Sequence, residues 1–181
     1  MNKKVLLNKL KDELIKDRKL SLIESRIIFG EGNFDSKVIF IGEAPGAKEE
    51  ELGRPFVGRS GKLLEANLDE IGLGREDVYI TNIVKKRPPD NRDPDSREIA
   101  LFSPYLKREI DIIKPKIIVS LGRFSLQYFL PGAKISKIQG ELINSGDYLI
   151  FPVFHPAAAL RSSSRMADFK NSFKKLKKHL N

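Results

Sequence analysis

The chain has 181 residues, 40% hydrophobic and 31% charged, and its 33 Lys and Arg against 24 Asp and Glu give a formal net charge of +9. This composition excludes a disordered chain, and no apolar run approaches the roughly 20 residues that cross a bilayer. The absence of cysteine excludes disulfides, thiolate zinc sites and cysteine-ligated iron–sulfur clusters. The length fits a single domain over residues 1–181. The basic excess favours a polyanion such as nucleic acid as partner, although a lysine-rich solvated surface is the alternative.

The N-terminal half alternates predicted helices with predicted strands. Residues 3–17 place aliphatic side chains at helical spacing, which predicts an amphipathic helix rather than a signal peptide and favours a cytoplasmic protein. Residues 37–42 (KVIFIG) form an apolar run typical of a buried parallel strand. A helix is predicted over 60–72, with Gly72 as its stop, and a second strand over 77–83.

The C-terminal half continues the alternation. Three prolines and several Asp and Asn residues predict an irregular loop over 86–96. The later predicted elements are a helix from about Ser96 to Ile113, a strand at 115–121, a helix at 123–130, a strand at 148–153 and a basic helix at 168–180. This order predicts an α/β fold in which a parallel sheet has helices on both faces.

The segment 42–46 (GEAPG) ends the first predicted strand. Its two glycines and proline predict a tight turn whose backbone N–H groups can face a ligand, and open α/β sheets bind ligands at this end of the strands. Gly42, Glu43 and Ala44 are therefore candidate site residues, and an ordinary turn with a solvated Glu43 is the alternative. The phosphate-binding fingerprints GxxxxGK[ST] and GxGxxG are absent, which argues against nucleotide hydrolysis and dinucleotide binding.

Three further side chains are candidates because of where they follow strands or lie in loops. Phe56 lies in a Gly- and Pro-rich loop, where it is either a local core side chain or a platform on which a base stacks. Asn82 either caps a turn or presents the donor and acceptor that match the edge of a pyrimidine. His155 is either structural or a neutral donor that stabilises an oxyanion on a departing ring. A metal site at His155 is not expected, because the sequence has no second His or Cys at ligand spacing.

Two basic segments are candidate DNA contacts. One follows Asn82, and the other surrounds Leu160, an apolar residue in a polar stretch. Proteins that distort duplex DNA insert apolar side chains into the base stack and bind phosphates with Arg and Ser, whereas an exposed loop is the alternative. The candidates are Lys85, Lys86, Arg87, Leu160, Arg161 and Ser162.

Six short segments in this order resemble the uracil-DNA glycosylase superfamily, specifically its family 4 type. They are 29–33 (FGEGN), 41–46 (IGEAPG), 53–58 (GRPFVG), 81–92 (TNIVK, then RPP and NR), 121–122 (LG) and 154–161 (FHP, then LR). The resemblance implies a three-layer α/β/α fold with a central four-stranded parallel sheet. It also implies hydrolysis of the N-glycosidic bond of deoxyuridine, with the base flipped out of the DNA stack. We expect a monomer that acts on single- or double-stranded uracil-containing DNA, with a replication clamp as a weaker candidate partner.

The resemblance also implies a role for each matching pocket residue. Glu43 would position water or stabilise the cationic sugar, Phe56 would stack on uracil, and Asn82 would read its edge. Glu49 would crowd the 5-position of the ring and exclude thymine. His155 would donate a hydrogen bond to the uracil oxygen as negative charge develops.

Residues outside the pocket core follow the same resemblance. Leu160 would fill the vacated base stack, Arg161 would contact the DNA backbone, and Asn91 matches a pocket-side position. The Arg-Gly pair usual in the family is replaced by Gln139-Gly140.

Members of this type usually hold an iron–sulfur cluster on four cysteines, and this chain has none. The matching positions are Asp17, Leu20, Lys86 and Phe102. We therefore expect no cofactor and no metal, and hypothesise that Asp17–Lys86 and Leu20–Phe102 contacts tie the same segments together. Two other functions stay open: a glycosylase for another base, such as hypoxanthine, and a non-catalytic DNA-binding module of the same fold.

Overall fold

A computed structural model describes residues 2–22 and 25–180. Its centre is a six-stranded sheet with the order β1-β3-β2-β4-β6-β5. The strands are β1 Glu31–Gly32, β2 Val38–Gly42, β3 Tyr79–Asn82, β4 Ile117–Leu121, β5 Ile143–Asn144 and β6 Leu149–Val153. The four longer strands are those that the apolar runs predict.

The four longer strands are parallel, and the two short ones are antiparallel additions at the edges. Phe40 of β2 pairs with Ile80 of β3 and Val119 of β4, and Val119 pairs in turn with Phe151 of β6. The α/β class is therefore confirmed, and the sheet has six strands rather than four. The sequence does not reveal β1 and β5, because two residues are too few to produce a periodic pattern.

Helices cover both faces of the sheet. They are α1 Lys3–Lys16, α2 Ala47–Leu52, α3 Arg59–Glu70, α4 Ser96–Ile113, α5 Arg123–Phe129, α6 Ile135–Ile138, α7 Pro156–Ala159 and α8 Ser163–Lys177, with 3-10 turns at Arg18–Leu22 and Pro89–Asn91. Alternate side chains of a strand point to opposite faces. Phe40 accordingly packs in one core with α3 and α8, whereas Ile39 packs in the other with α1 and α4. No helix in the described part of the chain is long and apolar enough to span a membrane.

Local capping sets the ends of two helices that flank the site. α4 begins at Ser96, as predicted, because the Asp95 carboxylate accepts hydrogen bonds from the backbone N–H groups of Arg97 and Glu98, both at 2.8 Å. α8 begins at Ser163 rather than at residue 168, because the Ser162 hydroxyl accepts from the Arg165 N–H at 3.4 Å. Ser162 is thus a helix cap next to the predicted DNA contacts.

The residues at the four cluster positions do not fit an iron–sulfur cluster, because none supplies a thiolate. The Asp17 carboxylate accepts from the Tyr105 hydroxyl at 2.8 Å, and the Lys86 ammonium donates to the Leu20 carbonyl at 2.8 Å. Leu20 and Phe102 are both buried in the α1–α4 core. Within the described residues, Asp17 and Lys86 form no ion pair with each other. The hypothesised ionic contact is therefore corrected to two separate hydrogen bonds, while the apolar pair lies in a shared core.

Candidate active site

A cavity of about 830 Å³ opens where the parallel strands end. Glu43 follows β2, Asn82 ends β3, Gly122 follows β4 and His155 follows β6, and all four line this cavity. Because parallel strands end at one edge of a sheet, residues separated by more than a hundred positions meet here. The cavity is also lined by the candidates Ala44, Glu49, Phe56, Asn91 and Arg161.

Asn82 presents a buried amide to the cavity. The residue is 2% exposed, and its Oδ1 atom has no hydrogen-bond partner among the described residues. A buried polar atom without a partner costs about 1–3 kcal/mol, so this amide is suited to a polar ligand. Gly42, the β-sheet partner of Asn82, does not line the cavity. A side chain at Gly42 would collide with Asn82 Oδ1 and with the Phe56 ring, so glycine here leaves room for both.

Phe56 is held in an unusual backbone conformation. Its φ angle is +51°, a left-handed value that is uncommon for a bulky residue. Arg75 donates hydrogen bonds to the backbone carbonyls of Pro55 and Phe56, the latter at 2.8 Å, and is itself held by the Glu31 carboxylate at 2.9 Å. The guanidinium therefore fixes one side of the loop.

Glu49 fixes the other side of the same loop. One carboxylate oxygen accepts from the backbone N–H groups of Val57 at 3.0 Å and Gly58 at 2.8 Å, and the other accepts from the Gly46 N–H at 3.2 Å. The residue is 9% exposed. Glu49 thus ties the turn after β2 to the Phe56 loop, a structural role that the sequence did not predict.

His155 is a neutral donor in this geometry. Its Nδ1 atom accepts a hydrogen bond from the Ala157 backbone N–H at 3.2 Å, which assigns the ring proton to Nε2. Burial lowers the pKa of His155 to about 4, so the ring is uncharged at neutral pH. The ring centre lies 6.1 Å from that of Phe56. Gly122, with φ of +90°, lies against this ring, and a Cβ there would be 2.9 Å from the His155 Cβ.

Glu43 is half-buried in the cavity wall. Burial and, to a lesser extent, the nearby Asp93 charge raise the pKa of Glu43, Arg123 opposes the rise, and the resulting pKa is about 7. Asp93 and Arg123 form an ion pair at 2.5 Å, and both line the cavity. A carboxyl group with a pKa near 7 is suited to exchange protons at neutral pH.

The predicted basic run after Asn82 does not form an exposed surface. Lys85 is fully buried and Lys86 is 8% exposed, so the prediction that they contact DNA is wrong. The fully buried neighbours Ile83 and Val84 are the sequence signal that this segment enters the core. Arg87 is half-buried and pairs with Glu50 at 2.9 Å.

The remaining candidates lie at the rim of the cavity or beside it. Asn91 is exposed and its side-chain oxygen accepts from Arg87 Nε at 2.8 Å. Leu160 is 39% exposed, and Arg161 next to it is exposed and lines the cavity. Three basic residues that line the cavity were not predicted: they are Lys48, Arg59 and Arg123.

Comparisons with known proteins agree on one family. The family model described as the uracil DNA glycosylase superfamily matches residues 29–181. A type-4 uracil-DNA glycosylase of Sulfurisphaera tokodaii is 44% identical over 183 residues, covering 94% of this chain and 83% of the relative. Those of Saccharolobus solfataricus and Thermotoga maritima are 45% and 46% identical, covering 93% and 80% of this chain and 84% and 77% of each relative. With this similarity along most of its length, the chain belongs to the uracil DNA glycosylase superfamily.

Proposed function

We propose that this protein is a uracil-DNA glycosylase, which hydrolyses the N-glycosidic bond of deoxyuridine in DNA, releases uracil and leaves an abasic site for base excision repair. The observation that carries the proposal is the buried, unpartnered amide of Asn82 in a cavity that Glu43, Phe56 and His155 also line. A flat ring with polar edges would supply the hydrogen-bond partners that this amide lacks. The curated relatives named type-4 uracil-DNA glycosylase support the same substrate.

Recognition of the base follows from the cavity's walls. A uracil flipped out of the DNA stack would lie against the Phe56 ring, where base–aromatic stacking is worth about 1–3 kcal/mol. The Asn82 amide offers one acceptor and two donors, which match the N3–H donor and an adjacent carbonyl of uracil. We propose that Glu49 excludes the methyl group of thymine by holding the turn and the Phe56 loop close to the ring.

The chemical step needs one base and one hydrogen-bond donor. The ionised Glu43 carboxylate accepts a proton from water, whose oxygen forms a bond to C1′ of the deoxyribose. The C1′–N1 bond breaks, and its electron pair leaves with the uracil ring, where negative charge develops on a carbonyl oxygen. The neutral His155 donates from Nε2 to that oxygen, and such a preorganised donor stabilises the leaving group without reorganisation.

The direct test is release of the base from a labelled oligonucleotide that contains either uracil or hypoxanthine. We expect release of uracil by the wild-type protein. The two alternatives are not favoured, since the relatives are named for uracil. Release of hypoxanthine alone would support the first alternative, and DNA binding without release would support the non-catalytic module.

The pH dependence of kcat/KM tests the role of Glu43. Glu43 must be ionised both to accept the proton of water and to stabilise a cationic sugar. Because its pKa is about 7, kcat/KM should fall about tenfold per pH unit below pH 7. In Asp93→Asn, the charge that raises this pKa is removed, and the acidic limb should move to lower pH. The measurement is uracil release from pH 5 to pH 9. Asp111→Asn, an acid paired with Lys107 on α4, is the control and should leave the limb in place. An unmoved limb in Asp93→Asn would contradict this assignment.

Leu160 is proposed to fill the gap that the flipped base leaves in a duplex. Leu160→Ala should reduce uracil release from double-stranded DNA about tenfold, because burying a leucine side chain is worth roughly 1.5–3 kcal/mol. Release from single strands should change little, since no stack has to be filled. Ile15→Ala, which shortens an exposed side chain on α1, is the matched control. An equal loss on both substrates would contradict the wedge role.

Further features are proposals that follow from this function. We propose that the chain acts as a single domain and a monomer in the cytoplasm, with Arg161 and Arg87 near the DNA backbone and Asn91 at the pocket side. No cofactor is needed for the steps above, and the cluster positions hold a carboxylate, an ammonium and two apolar side chains. A replication clamp as partner is open to a direct binding assay.

A further inference from the structure

A fully buried ion pair links the segment that follows β3 to α4. Lys85 Nζ lies 2.5 Å from Glu109 Oε2, and both side chains are completely shielded from solvent. The other carboxylate oxygen, Oε1, accepts from the Tyr79 hydroxyl at 2.7 Å, and Oε2 also accepts from the Thr81 hydroxyl at 3.2 Å. The mechanism proposed above uses none of these charges.

The Lys85 ammonium has three donors, and each has an acceptor. They are Glu109 Oε2 at 2.5 Å, the Thr81 hydroxyl oxygen at 2.5 Å and the backbone carbonyl of Asn82 at 2.8 Å. The third acceptor belongs to the residue whose amide is unpartnered in the cavity. Lys85 therefore connects the buried network directly to the base-binding residue.

The pair is poorly explained by stability alone. Burial lowers the pKa of Lys85 while Glu109 opposes that change, and buried ion pairs can often be replaced by apolar residues without loss of stability. The Asn82 side chain, in contrast, depends on its backbone for orientation, because its Oδ1 atom has no partner among the described residues. Two hydrogen bonds hold the backbone at Asn82. The Lys85 ammonium donates to the Asn82 carbonyl, and the N–H of the next residue, Ile83, donates to the Gly42 carbonyl at 3.0 Å.

We propose that Lys85 is a positioning residue, held by its counter-ion Glu109, that fixes the backbone of Asn82 so that the amide is already oriented before uracil enters. The inference rests on the proposed function and extends it. A preorganised amide binds without loss of conformational freedom at the moment of recognition. The chemical step stays with Glu43 and His155, and Lys85 acts only through Asn82.

The test removes the Asn82 contact while keeping the rest of the network. In Lys85→Met with Glu109→Gln, the amide at position 109 can still accept from Tyr79 and donate to Thr81, and no buried charge remains. We expect Tm to stay within a few degrees of the wild type, while kcat/KM for uracil release and the affinity for free uracil each fall about tenfold. Tyr79→Phe is the matched control, because it removes a hydrogen bond to the same carboxylate without touching Asn82, and its activity should be unchanged.

A double-mutant cycle separates positioning from general damage. In an Asn82→Ala background, the Lys85→Met/Glu109→Gln change should add no further loss, because the group that it positions is gone. A full additional tenfold loss in that background, or no loss in the wild-type background, would overturn the inference.

Two further outcomes keep the test decisive. If the double variant does not fold, Glu109→Gln alone removes the counter-ion that holds Lys85, so uracil release and the affinity for free uracil should both fall in the wild-type background and show no further loss in Asn82→Ala; unchanged release by Glu109→Gln would overturn the inference. If the wild type itself releases no uracil, the proposed function fails, and the positioning role that rests on it fails as well. Equal release by wild type and variants refutes only the positioning role.

Discussion

Replacing Asn82 by alanine is expected to lower kcat/KM for uracil release about 10³-fold. The amide is 2% exposed, lines the cavity and has an unpartnered oxygen, so its removal leaves the polar edge of a buried uracil without partners. Two hydrogen bonds at about 2 kcal/mol each correspond to about this factor. The measurement is single-turnover release from a uracil-containing oligonucleotide, together with binding of free uracil.

Asn67→Ala is the matched control for this substitution. Asn67 on α3 is also a buried asparagine with an unpartnered Oδ1, and its amide nitrogen donates to the Leu63 carbonyl at 2.8 Å. It does not line the cavity. Asn67→Ala should therefore lower stability and leave uracil release intact. Equal losses of release in the two variants would show that the effect of Asn82→Ala is structural.

Replacing His155 by alanine is expected to lower kcat about 10²–10³-fold, the usual effect of removing one donor to a developing oxyanion. Ground-state binding should change less, because the charge on the uracil oxygen develops only as the C1′–N1 bond breaks. The pKa of His155 is about 4. Its donor therefore does not titrate between pH 5 and pH 9, and the loss should be the same across that range.

The second histidine of the chain provides the control. His179 lies after α8, near Phe151, and outside the large cavity. His179→Ala should keep wild-type kcat, and the chemical shifts of the His155 ring would report its neutral form. A loss in His155→Ala that vanishes at one end of the pH range would contradict a neutral donor and favour an imidazolium.

The buried Lys85 shows how a misleading local pattern arises. Three consecutive basic residues predict an exposed surface, yet the apolar pair that precedes them carries the first two into the core. The partner of Lys85 lies 24 positions away on α4, and no local pattern links the two residues. The same holds for Arg75, which reaches Phe56 across 19 positions and Glu31 across 44.

The sequence by itself determined the α/β class, the four long strands and the meeting of Glu43, Asn82 and His155 at one edge of the sheet. Each long strand is mostly apolar, and polar residues at the carboxyl ends of parallel strands meet at one edge of the sheet. These are local patterns combined with a rule of topology. Both can be read without coordinates.

Only the tertiary structure decided which charges are exposed, how the Phe56 loop is held and what replaces the cysteines. It also set the pKa of Glu43, because burial and the Asp93 charge act through space. Asp17 finds its hydroxyl partner Tyr105 across 88 positions. Such contacts depend on how helices pack on the sheet, and packing brings together residues whose separation along the chain carries no periodic signal.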